Sequence, residues 1–336
     1  MNKISSIDLF AGVGGMRLSL NKALKKMGLE DNCKLYSEIN LYCRQTYDAN
    51  FPDTPLIKDI KSIQRKDIRN KIPNHDILLA GFPCQPFSKA GISNRNFLKR
   101  VHGFNDKDQG NLFFNILEII NKKKPKAFLL ENVQHLQNYD NGNALKQILG
   151  SLRKNYYVPE PEILDAKDFG LAQQRKRIFI VGFLKKNTDF IYPKPTYKNI
   201  KVANFLDCHP KKKYIISNLL WESHQKRRKR NEMAGKGFGY KMTYPADRFT
   251  RTISSRYFKD GAECLVYRGK NNNPRMLSPR EVFRLQGFPE SFKIPVSNTQ
   301  AYQQAGNTVP ISVVEKILVN IINCILGNRR KNRFVA

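Results

Sequence analysis

The segment Gly81-Phe82-Pro83-Cys84-Gln85-Pro86-Phe87-Ser88 decides how the rest of the chain is interpreted. It follows residues 76–80, a short apolar run typical of a buried strand, and its glycine and two prolines stop any strand or helix from continuing. Cys84 is therefore expected on a constrained turn at the end of a strand, where α/β sheets carry their chemistry. An isolated cysteine is more often a small buried apolar side chain.

A carboxyl group at a second strand end changes that balance. Glu131 and Asn132 follow residues 126–130, another apolar run that predicts a buried strand. The thiol of Cys84 and the carboxyl group of Glu131 would then meet at the same edge of one sheet. We predict a reactive site there rather than a cysteine of the core.

Glycine-rich sequence near the N-terminus predicts a nucleotide-binding strand, turn and helix. The predicted elements are a strand at 4–10, a tight turn at 11–15, a helix at 16–27 and a second strand at 33–37. The turn lacks the third glycine of the dinucleotide fingerprint. Glu38 ends the second strand about 20 residues beyond the turn, where a carboxylate reaches ribose hydroxyls. Residues 56–57 lead to Asp59-Ile60, a third candidate strand end.

Strands and helices continue to alternate as far as residue 184. Within this range, strands are predicted at 126–130, 156–164 and 177–183 and helices at 112–120 and 144–152. Two further helices are predicted beyond it, at 277–285 and 311–326. This alternation indicates a mostly parallel, doubly wound sheet. The last helix is apolar enough to need a core, so we expect the C-terminus to pack onto the first domain.

The chain is strongly basic. It has 336 residues, with 59 Lys and Arg against 28 Asp and Glu, a formal net charge of +31. Such an imbalance suits a polyanionic partner, with nucleic acid ahead of an anionic membrane surface. The polar, basic loop 88–110 is interpreted as a lid that closes on an anionic substrate. Basic clusters at 211–213 and 226–230, mixed with Trp221 and other aromatic residues, favour nucleic-acid contact.

Composition also limits which cellular compartments and which cofactors are expected. No apolar run is long enough to span a bilayer, and the first 20 residues do not resemble a signal peptide, so no membrane partner is expected. The six cysteines and five histidines are dispersed, without a Cys-x-x-Cys pair. We therefore predict no metal site, no disulfide framework and a reduced, cytoplasmic compartment.

Six stretches, taken in order, resemble the bacterial cytosine-5 DNA methyltransferases of restriction–modification systems. They are residues 8–15, 81–88, 131–133, 173–177, 280–289 and 306–309. Any one of them could match by chance, but six in the order of the family could not. The resemblance spans both ends of the chain and leaves roughly residues 190–250 unmatched.

This resemblance implies a fold and a division into domains. The fold is α/β, a Rossmann-like sheet of the S-adenosylmethionine-dependent methyltransferases with a second, smaller DNA-recognition domain. We expect a catalytic and cofactor-binding domain at 1–190 plus 305–336, a target-recognition domain at 191–278 and a hinge segment at 279–304. Double-stranded DNA would lie in the cleft between them.

The implied reaction explains why these residue types are needed. Cytosine C5 is a poor nucleophile, and attack of the Cys84 thiolate on C6 makes it an enamine carbon. The basic surroundings should activate the thiol. A protonated Glu131 would relieve charge at N3, and its pKa would be raised by burial. The target cytosine must leave the duplex to reach such a pocket.

The resemblance also assigns the remaining site residues. Arg175 and Arg177 would bind the O2 atom of the base and a nearby phosphate or carboxylate, and Asn132 would orient the loop around Cys84. The contacts expected for S-adenosylmethionine, and for its product S-adenosylhomocysteine, are Phe10, Ala11, Gly12, Val13 and Gly14 around the methionine part, Glu38 at the ribose, Ile39, Asp59 and Ile60 at the adenine, and Pro83, Leu112, Asn307 and Val309 closing the pocket. Many relatives place an aromatic residue at the position of Ile39, so an apolar contact replaces stacking there.

The expected biology is protection of bacterial host DNA by a cytoplasmic, monomeric enzyme. A cognate restriction endonuclease acting on the same site would be its functional partner, although an orphan methyltransferase would have the same sequence features. A transfer-RNA cytosine-5 methyltransferase is the chief alternative. A nicotinamide oxidoreductase would need the intact glycine fingerprint, a cysteine hydrolase would need a histidine base, and a non-catalytic DNA-binding module would not need Cys84, Glu131 and the cofactor turn together.

Overall fold

The computed structural model describes residues 3–83, 112–186, 188–197, 199–237 and 239–327. Cys84 and the basic loop 88–110 lie outside the described residues. The chain divides into two compact units, which we describe separately. The first unit comprises residues 1–164, 176–194 and 313–336, and the second comprises 165–175 and 195–312.

A seven-stranded sheet forms the centre of the first unit. Its strands are β1 (Lys3–Leu9), β2 (Glu30–Ser37), β3 (Leu56–Ile57), β4 (Ile77–Gly81), β5 (Ala127–Val133), β6 (Glu162–Asp165) and β7 (Lys176–Phe183). They lie in the order β3-β2-β1-β4-β5-β7-β6, parallel from β3 to β5, with β7 antiparallel to β5. The predicted Rossmann-like sheet is therefore confirmed, and the antiparallel β7 is inserted before its last strand.

Helices cover this sheet. In chain order they are α1 (Gly15–Lys25), α2 (Leu41–Asn50), α3 (Ile68–Lys71), α4 (Leu112–Lys123) and α5 (Asn143–Arg153). Residues 77–80 of β4 and 127–130 of β5 are fully buried. Continuous apolar runs of this kind are what a sheet covered on both faces requires.

One predicted strand is much shorter than expected. The pattern at residues 156–164 predicts a strand, but β6 begins only at Glu162. Pro159 and Pro161 lie in the first part of that run and have no N–H to donate to a neighbouring strand. Tyr157 therefore makes only an isolated bridge to Phe183.

The C-terminal helix α9 (Ile311–Ile325) belongs to the first unit from Val313 onward. Its apolar side chains are buried, and its Glu315 forms ion pairs with Lys22 of α1 and with Lys26, which directly follows that helix. Among the described residues, no single helix is long and apolar enough to cross a membrane. The bent pair of α9 and the helix before it would qualify by length and composition alone.

Loops and short elements dominate the second unit. It contains α6 (Asn218–Met233), α7 (Pro279–Leu285), α8 (Asn298–Asn307) and the two-residue strands β8 (Met242–Thr243) and β9 (Leu265–Val266). A capping box between Ser278 and Glu281 begins α7, and Glu281 also pairs with Arg275 at 2.7 Å, both buried. Compactness places residues 165–175 and 279–312 in this unit. The sequence-based division gave 165–175 and 305–312 to the cofactor domain and made 279–304 a hinge.

Candidate active site

The carboxyl ends of β1, β2, β4 and β5 lie at one edge of the first unit's sheet. Leu9 is in register with Ser37 on one side and Ala80 on the other, and Gly81 is in register with Glu131. The strand order reverses direction between β1 and β4, where doubly wound sheets bind their ligands. The structure thus brings the predicted glycine turn, Glu38, Pro83 and Glu131 to one edge.

The turn after β1 has an unusual backbone. Phe10, Gly12 and Gly14 all have positive φ angles, of 54°, 56° and 84°. A left-handed conformation costs about 1–2 kcal/mol at a residue with a side chain, so Phe10 stores strain. The N–H of Ala11 donates to the carbonyl oxygen of Ser37 at 3.0 Å. The turn from Phe10 to Gly14, which we call the cofactor turn, is therefore held in a conformation that surrounding contacts must stabilise.

Glu38 is the residue that binds the front of this turn. Its Oε2 accepts the N–H of Gly12 at 2.8 Å, and its Oε1 accepts the N–H of Asn40 at 2.8 Å. Each carboxylate oxygen has a further lone pair for a hydroxyl donor. The carboxylate is thus oriented before any ligand binds, as a group expected to bind ribose hydroxyls should be.

The residues predicted at the adenine differ in their exposure. Ile39 is 69% exposed, and Leu41 and Tyr42 beside it are exposed too, so an apolar surface follows Glu38. The Asp59 carboxylate accepts the N–H of Lys61 at 2.9 Å. Ile60 is buried in the main core, which leaves its backbone rather than its side chain as the group that could reach a ligand.

Glu131 lies inside β5 rather than after it. Its Oε1 is 3.0 Å from Nε of Arg177 on the neighbouring antiparallel strand β7. Both side chains are largely buried. The other oxygen, Oε2, lies on the Gly81 side, 3.5 Å from where a Cβ atom at Gly81 would stand. The carboxyl group therefore points toward the strand end from which the chain continues to Cys84.

Asn132 connects β5 to the end of β4. Its Nδ2 donates to the carbonyl oxygen of Phe82 at 3.2 Å, and its Oδ1 accepts the N–H of Val133 at 2.8 Å. The side chain is 1% exposed. Pro83 and Leu112, both predicted to close the cofactor pocket, flank the residues that are not described.

Arg175 is surrounded by backbone groups of the second unit. Its guanidinium is buried and donates to the carbonyl oxygens of Ile253 at 3.2 Å, Gly306 at 2.8 Å and Thr308 at 2.6 Å, all in the second unit. These nitrogens therefore hold backbone segments of the second unit together. The contacts predicted for Arg175 and Arg177 with O2 of the base and a nearby phosphate or carboxylate stay predictions.

The carbonyl groups that Arg175 binds flank Asn307, one of the predicted cofactor contacts. Asn307 is exposed at the end of α8, and Val309 is 6% exposed. Gly306 packs so closely on the backbone of Ser254 that a side chain there would overlap it. Arg175 and this close approach hold residues 306–309 in place within the second unit.

The cysteines that the structure describes are free thiols. Burial raises the pKa of Cys33 to about 11, that of Cys43 to about 12 and that of Cys264 to about 11. A thiol rather than a thiolate therefore stands at these positions at neutral pH, and none of the three suits a nucleophile. In the described part of the chain, no group of three or more His, Cys, Asp or Glu could hold a metal ion.

Sequence reasoning missed several residues that shape the site. Arg17, in the first turn of α1, reaches Asp31 and the aromatic rings behind the cofactor turn. Gln173 accepts the N–H of Ile253, and Gln286 donates to the carbonyl oxygen of Ala305, so both stabilise the segments that Arg175 holds. The signal available for Arg17 was an arginine two residues after a glycine turn.

Comparison with known proteins identifies the family. Residues 4–323 match the model of the C-5 cytosine-specific DNA methylases. The chain belongs to this family. The methylase is 45% identical over 335 residues to the type II methyltransferase M.DsaV of Dactylococcopsis salina, covering 99% of this chain and 90% of that protein. It is 46% identical to the type II methyltransferase M.NlaX of Neisseria lactamica, covering 93% and 94%.

Solved structures agree on the fold of the methylase. The Entamoeba histolytica methyltransferase EhMeth aligns with a TM-score of 0.75 at 21% identity, covering 97% of this chain and 99% of the other. The Dnmt2 methyltransferase of S. pombe aligns with a TM-score of 0.74 at 19% identity, covering 95% and 98%. The family establishes the methylase as a DNA cytosine-5 methyltransferase, for which S-adenosylmethionine is the methyl donor. The transfer-RNA alternative is less supported.

Proposed function

We propose that the methylase modifies C5 of a flipped cytosine within a specific double-stranded DNA sequence, through a covalent bond between Cys84 and C6 of the base. The observation that carries this proposal is the hydrogen bond from Asn132 to Phe82, next to the register pair Gly81 and Glu131. It joins the strand that bears the carboxyl group to the strand end from which the chain enters the Cys84 segment. We infer that the thiol of Cys84, which lies outside the described residues, meets the carboxyl group of Glu131 at this edge of the sheet.

Each side chain has a defined task in this reaction. Cys84 attacks C6 as a thiolate, and the electron pair of the C5–C6 double bond moves toward N3, where it needs a proton. Glu131 is the acid that holds this proton. Nucleophilic attack and proton transfer together convert C5 into an enamine carbon. After C5 has gained the methyl group, Glu131 takes back the N3 proton, water accepts the C5 proton, and the Cys84 thiolate leaves by elimination.

Arg177 acts on Glu131 as well as on the base. A guanidinium at 3.0 Å holds Oε1 of the carboxyl group, and Oε2 lies on the Gly81 side, where we propose that it carries the proton. A planar guanidinium has five N–H donors, so Arg177 retains donors for O2 of the cytosine. Asn132 holds the backbone of Phe82, from which the chain continues to the nucleophile.

S-adenosylmethionine, when bound, supplies an electrophilic methyl group. The residues at the strand ends fit this cofactor, because a strained glycine turn, an oriented carboxylate and an exposed apolar surface follow one another at the edge of the sheet. We infer that the cofactor turn receives the methionine part, Glu38 the ribose hydroxyls, and Ile39 with the backbone of Asp59 and Ile60 the adenine. Pro83, Leu112, Asn307 and Val309 are inferred to close the pocket.

We also propose the biological setting. Relatives named type II methyltransferases suggest that the methylase protects host DNA from a cognate restriction endonuclease that acts on the same sequence. The bacterial cytoplasm is the inferred compartment, and a monomer the inferred state. Residues 191–278, rich in exposed cations, are proposed to recognise the target.

Bisulfite sequencing of plasmid DNA tests this function directly. Cells expressing the wild type should contain protected cytosines in one short recurrent sequence, and cells expressing Cys84→Ser should contain none. Fully convertible DNA in both cultures would contradict the proposal and direct the search to transfer RNA as the substrate. The same experiment reports which cytosine is modified.

A further inference from the structure

A group of buried and half-buried polar and aromatic side chains lies behind the cofactor turn. Ser6, Asp8, Tyr47 and Phe51 are buried and Arg17, Asp31 and Thr54 are half-buried, all in the first unit. None of these residues is assigned to the reaction or to the cofactor. Buried charges are costly to maintain, so a group of this kind calls for an explanation.

Arg17 is the centre of the group. Its guanidinium donates to Oγ1 of Thr54 at 2.6 Å and to the hydroxyl of Tyr47 at 3.3 Å, and its Nε is 3.5 Å from Oδ2 of Asp31. It also lies over the ring of Phe51, 4.6 Å from the centroid. The hydroxyl of Thr54 donates in turn to the carbonyl oxygen of Phe51 at 3.2 Å. Arg17 therefore fixes Phe51 through its ring and through its backbone.

The ring of Phe51 in turn fixes the cofactor turn. A side chain at Gly14 would overlap this ring, and Tyr47 lies 3.1 Å from the same point. Gly14 has a φ angle of 84° and is the residue from which α1 begins. The two rings pack against Gly14 and so stabilise the left-handed backbone conformation at the end of the turn. Contact thus runs from Arg17 through Phe51 and Tyr47 to Gly14.

Asp8 is a buried carboxyl group behind the turn, with its pKa set by opposing effects. It is 1% exposed, and its Oδ2 has no hydrogen-bond partner among the described residues. Burial raises the pKa of Asp8 well above its ordinary value, the negative charges of Asp31 and Glu38 add to this, and Arg17 opposes it. The guanidinium of Arg17 thus favours the charged form of Asp8, against burial and the two neighbouring carboxylates.

We propose that Arg17 is a positioning residue for the cofactor, acting through Phe51 and Tyr47 on the conformation of the cofactor turn. This rests on the proposed role of the turn in binding S-adenosylmethionine. Loss of Arg17 should release the strained backbone and weaken cofactor binding, while the chemical step at saturating cofactor is retained. The distinguishing sign is a raised KM for the cofactor with an unchanged kcat.

Calorimetric titration of the intact chain with S-adenosylmethionine, together with steady-state methylation of DNA, tests this. Arg17→Met and Arg17→Lys should raise Kd and KM for the cofactor about 10- to 100-fold, because lysine keeps the charge but lacks the fork of donors. Glu315→Gln is the matched control, since it removes ion pairs from α1 away from the turn. It should lower Tm without changing Kd.

Phe51→Leu provides a second route to the same answer. If Arg17 acts through the ring, the double variant should bind no more weakly than the worse single variant, since coupled sites are not additive. A Kd within about twofold of the wild type in both Arg17 variants would overturn the inference. Additive effects of the two substitutions would overturn it as well. A wild type that binds the cofactor but does not methylate DNA would contradict only the proposed function.

Discussion

Asn132 donates a hydrogen bond from its side-chain amide to the carbonyl oxygen of Phe82, at 3.2 Å. The two residues lie on or directly after neighbouring parallel strands, and Phe82 precedes Cys84 by two positions. A buried side chain of β5 thus determines how the chain leaves β4. This contact explains why an asparagine follows Glu131, the proposed acid.

Replacing Asn132 tests this connection. Asn132→Asp would place an oxygen against the carbonyl oxygen of Phe82 inside the protein, which should cost about 1–3 kcal/mol and lower kcat. Thermal unfolding and methylation rates are the measurements. Asn155→Asp is the control, because Asn155 donates to Asn121 at an exposed position where water can substitute. Equal effects of both substitutions would contradict a special role for Asn132.

Cys84→Ser should abolish methylation and leave S-adenosylmethionine binding near that of the wild type, because a serine hydroxyl is a far weaker nucleophile than a thiolate. Methylation assays and calorimetric titration check the two parts. Cys208→Ser changes an exposed thiol and should be fully active. Loss of cofactor binding together with activity would indicate a structural cysteine.

Glu131→Gln should slow covalent trapping on a duplex containing 5-fluorocytosine by about 10²–10⁴-fold, since the amide cannot deliver a proton to N3. Its oxygen can still accept from Arg177, so folding should be little changed. Glu118 lies on α4 and pairs with Arg65. Glu118→Gln removes this ion pair and controls for the loss of a negative charge. Trapping at the wild-type rate would remove Glu131 from proton transfer.

Affinity for DNA should fall steeply with salt, because phosphate neutralisation releases counterions. Lys229 and Arg230 on α6 are exposed, and no carboxylate of the described residues pairs with them. Replacing both with alanine should reduce the slope of log K against log salt by about 2. Fluorescence anisotropy at several salt concentrations measures this. Lys3→Ala with Lys71→Ala removes the same charge from the first unit and should leave the slope unchanged.

The free energy of unfolding of the first unit should decrease as the pH falls, because the buried ring of His75 must then take up a proton. Burial lowers its pKa to about 4, from 6.5 in the unfolded chain. The folded state thus favours the neutral ring, so the stabilising contribution is complete above pH 6.5 and is lost as the pH falls toward 4. The loss amounts to roughly 3 kcal/mol.

His75→Gln should flatten this dependence, because glutamine does not titrate. Hydrogen exchange of amides in β4 between pH 6.5 and 4 gives the free energy of opening in the wild type and the variant. The ring now accounts for one hydrogen bond, between Nδ1 and the carbonyl oxygen of Pro73 at 2.8 Å. Parallel pH profiles in the two proteins would contradict the role of His75.

Much of the first unit was predictable because its signals are local. Apolar runs predicted β4 and β5, and glycine at a strand end predicted the cofactor turn. Alternation predicted the parallel order, but nothing local distinguishes β7 as antiparallel. The helices α2 and α6 were not predicted, since α6 buries only His224 and has no apolar face to reveal it.

Arg175 and Arg177 show the limit most clearly. They are two positions apart in the chain and were given the same kind of task, yet Arg175 is 1% exposed and bound to carbonyl oxygens while Arg177 pairs with Glu131. A basic residue in a sequence has the same chemistry in both settings. Its partners come from segments distant in the chain, so only the fold assigns them.

Sequence by itself determined the class of protein and the residue types of the reaction, because motifs in a given order and strands in alternation are properties of neighbouring residues. Tertiary structure alone decided that Oε1 of Glu131 is bound by Arg177, that Asn132 holds Phe82, and that Arg17 lies behind the cofactor turn. The physical reason is that each of these contacts depends on strand register and burial, which are fixed only when distant segments pack together.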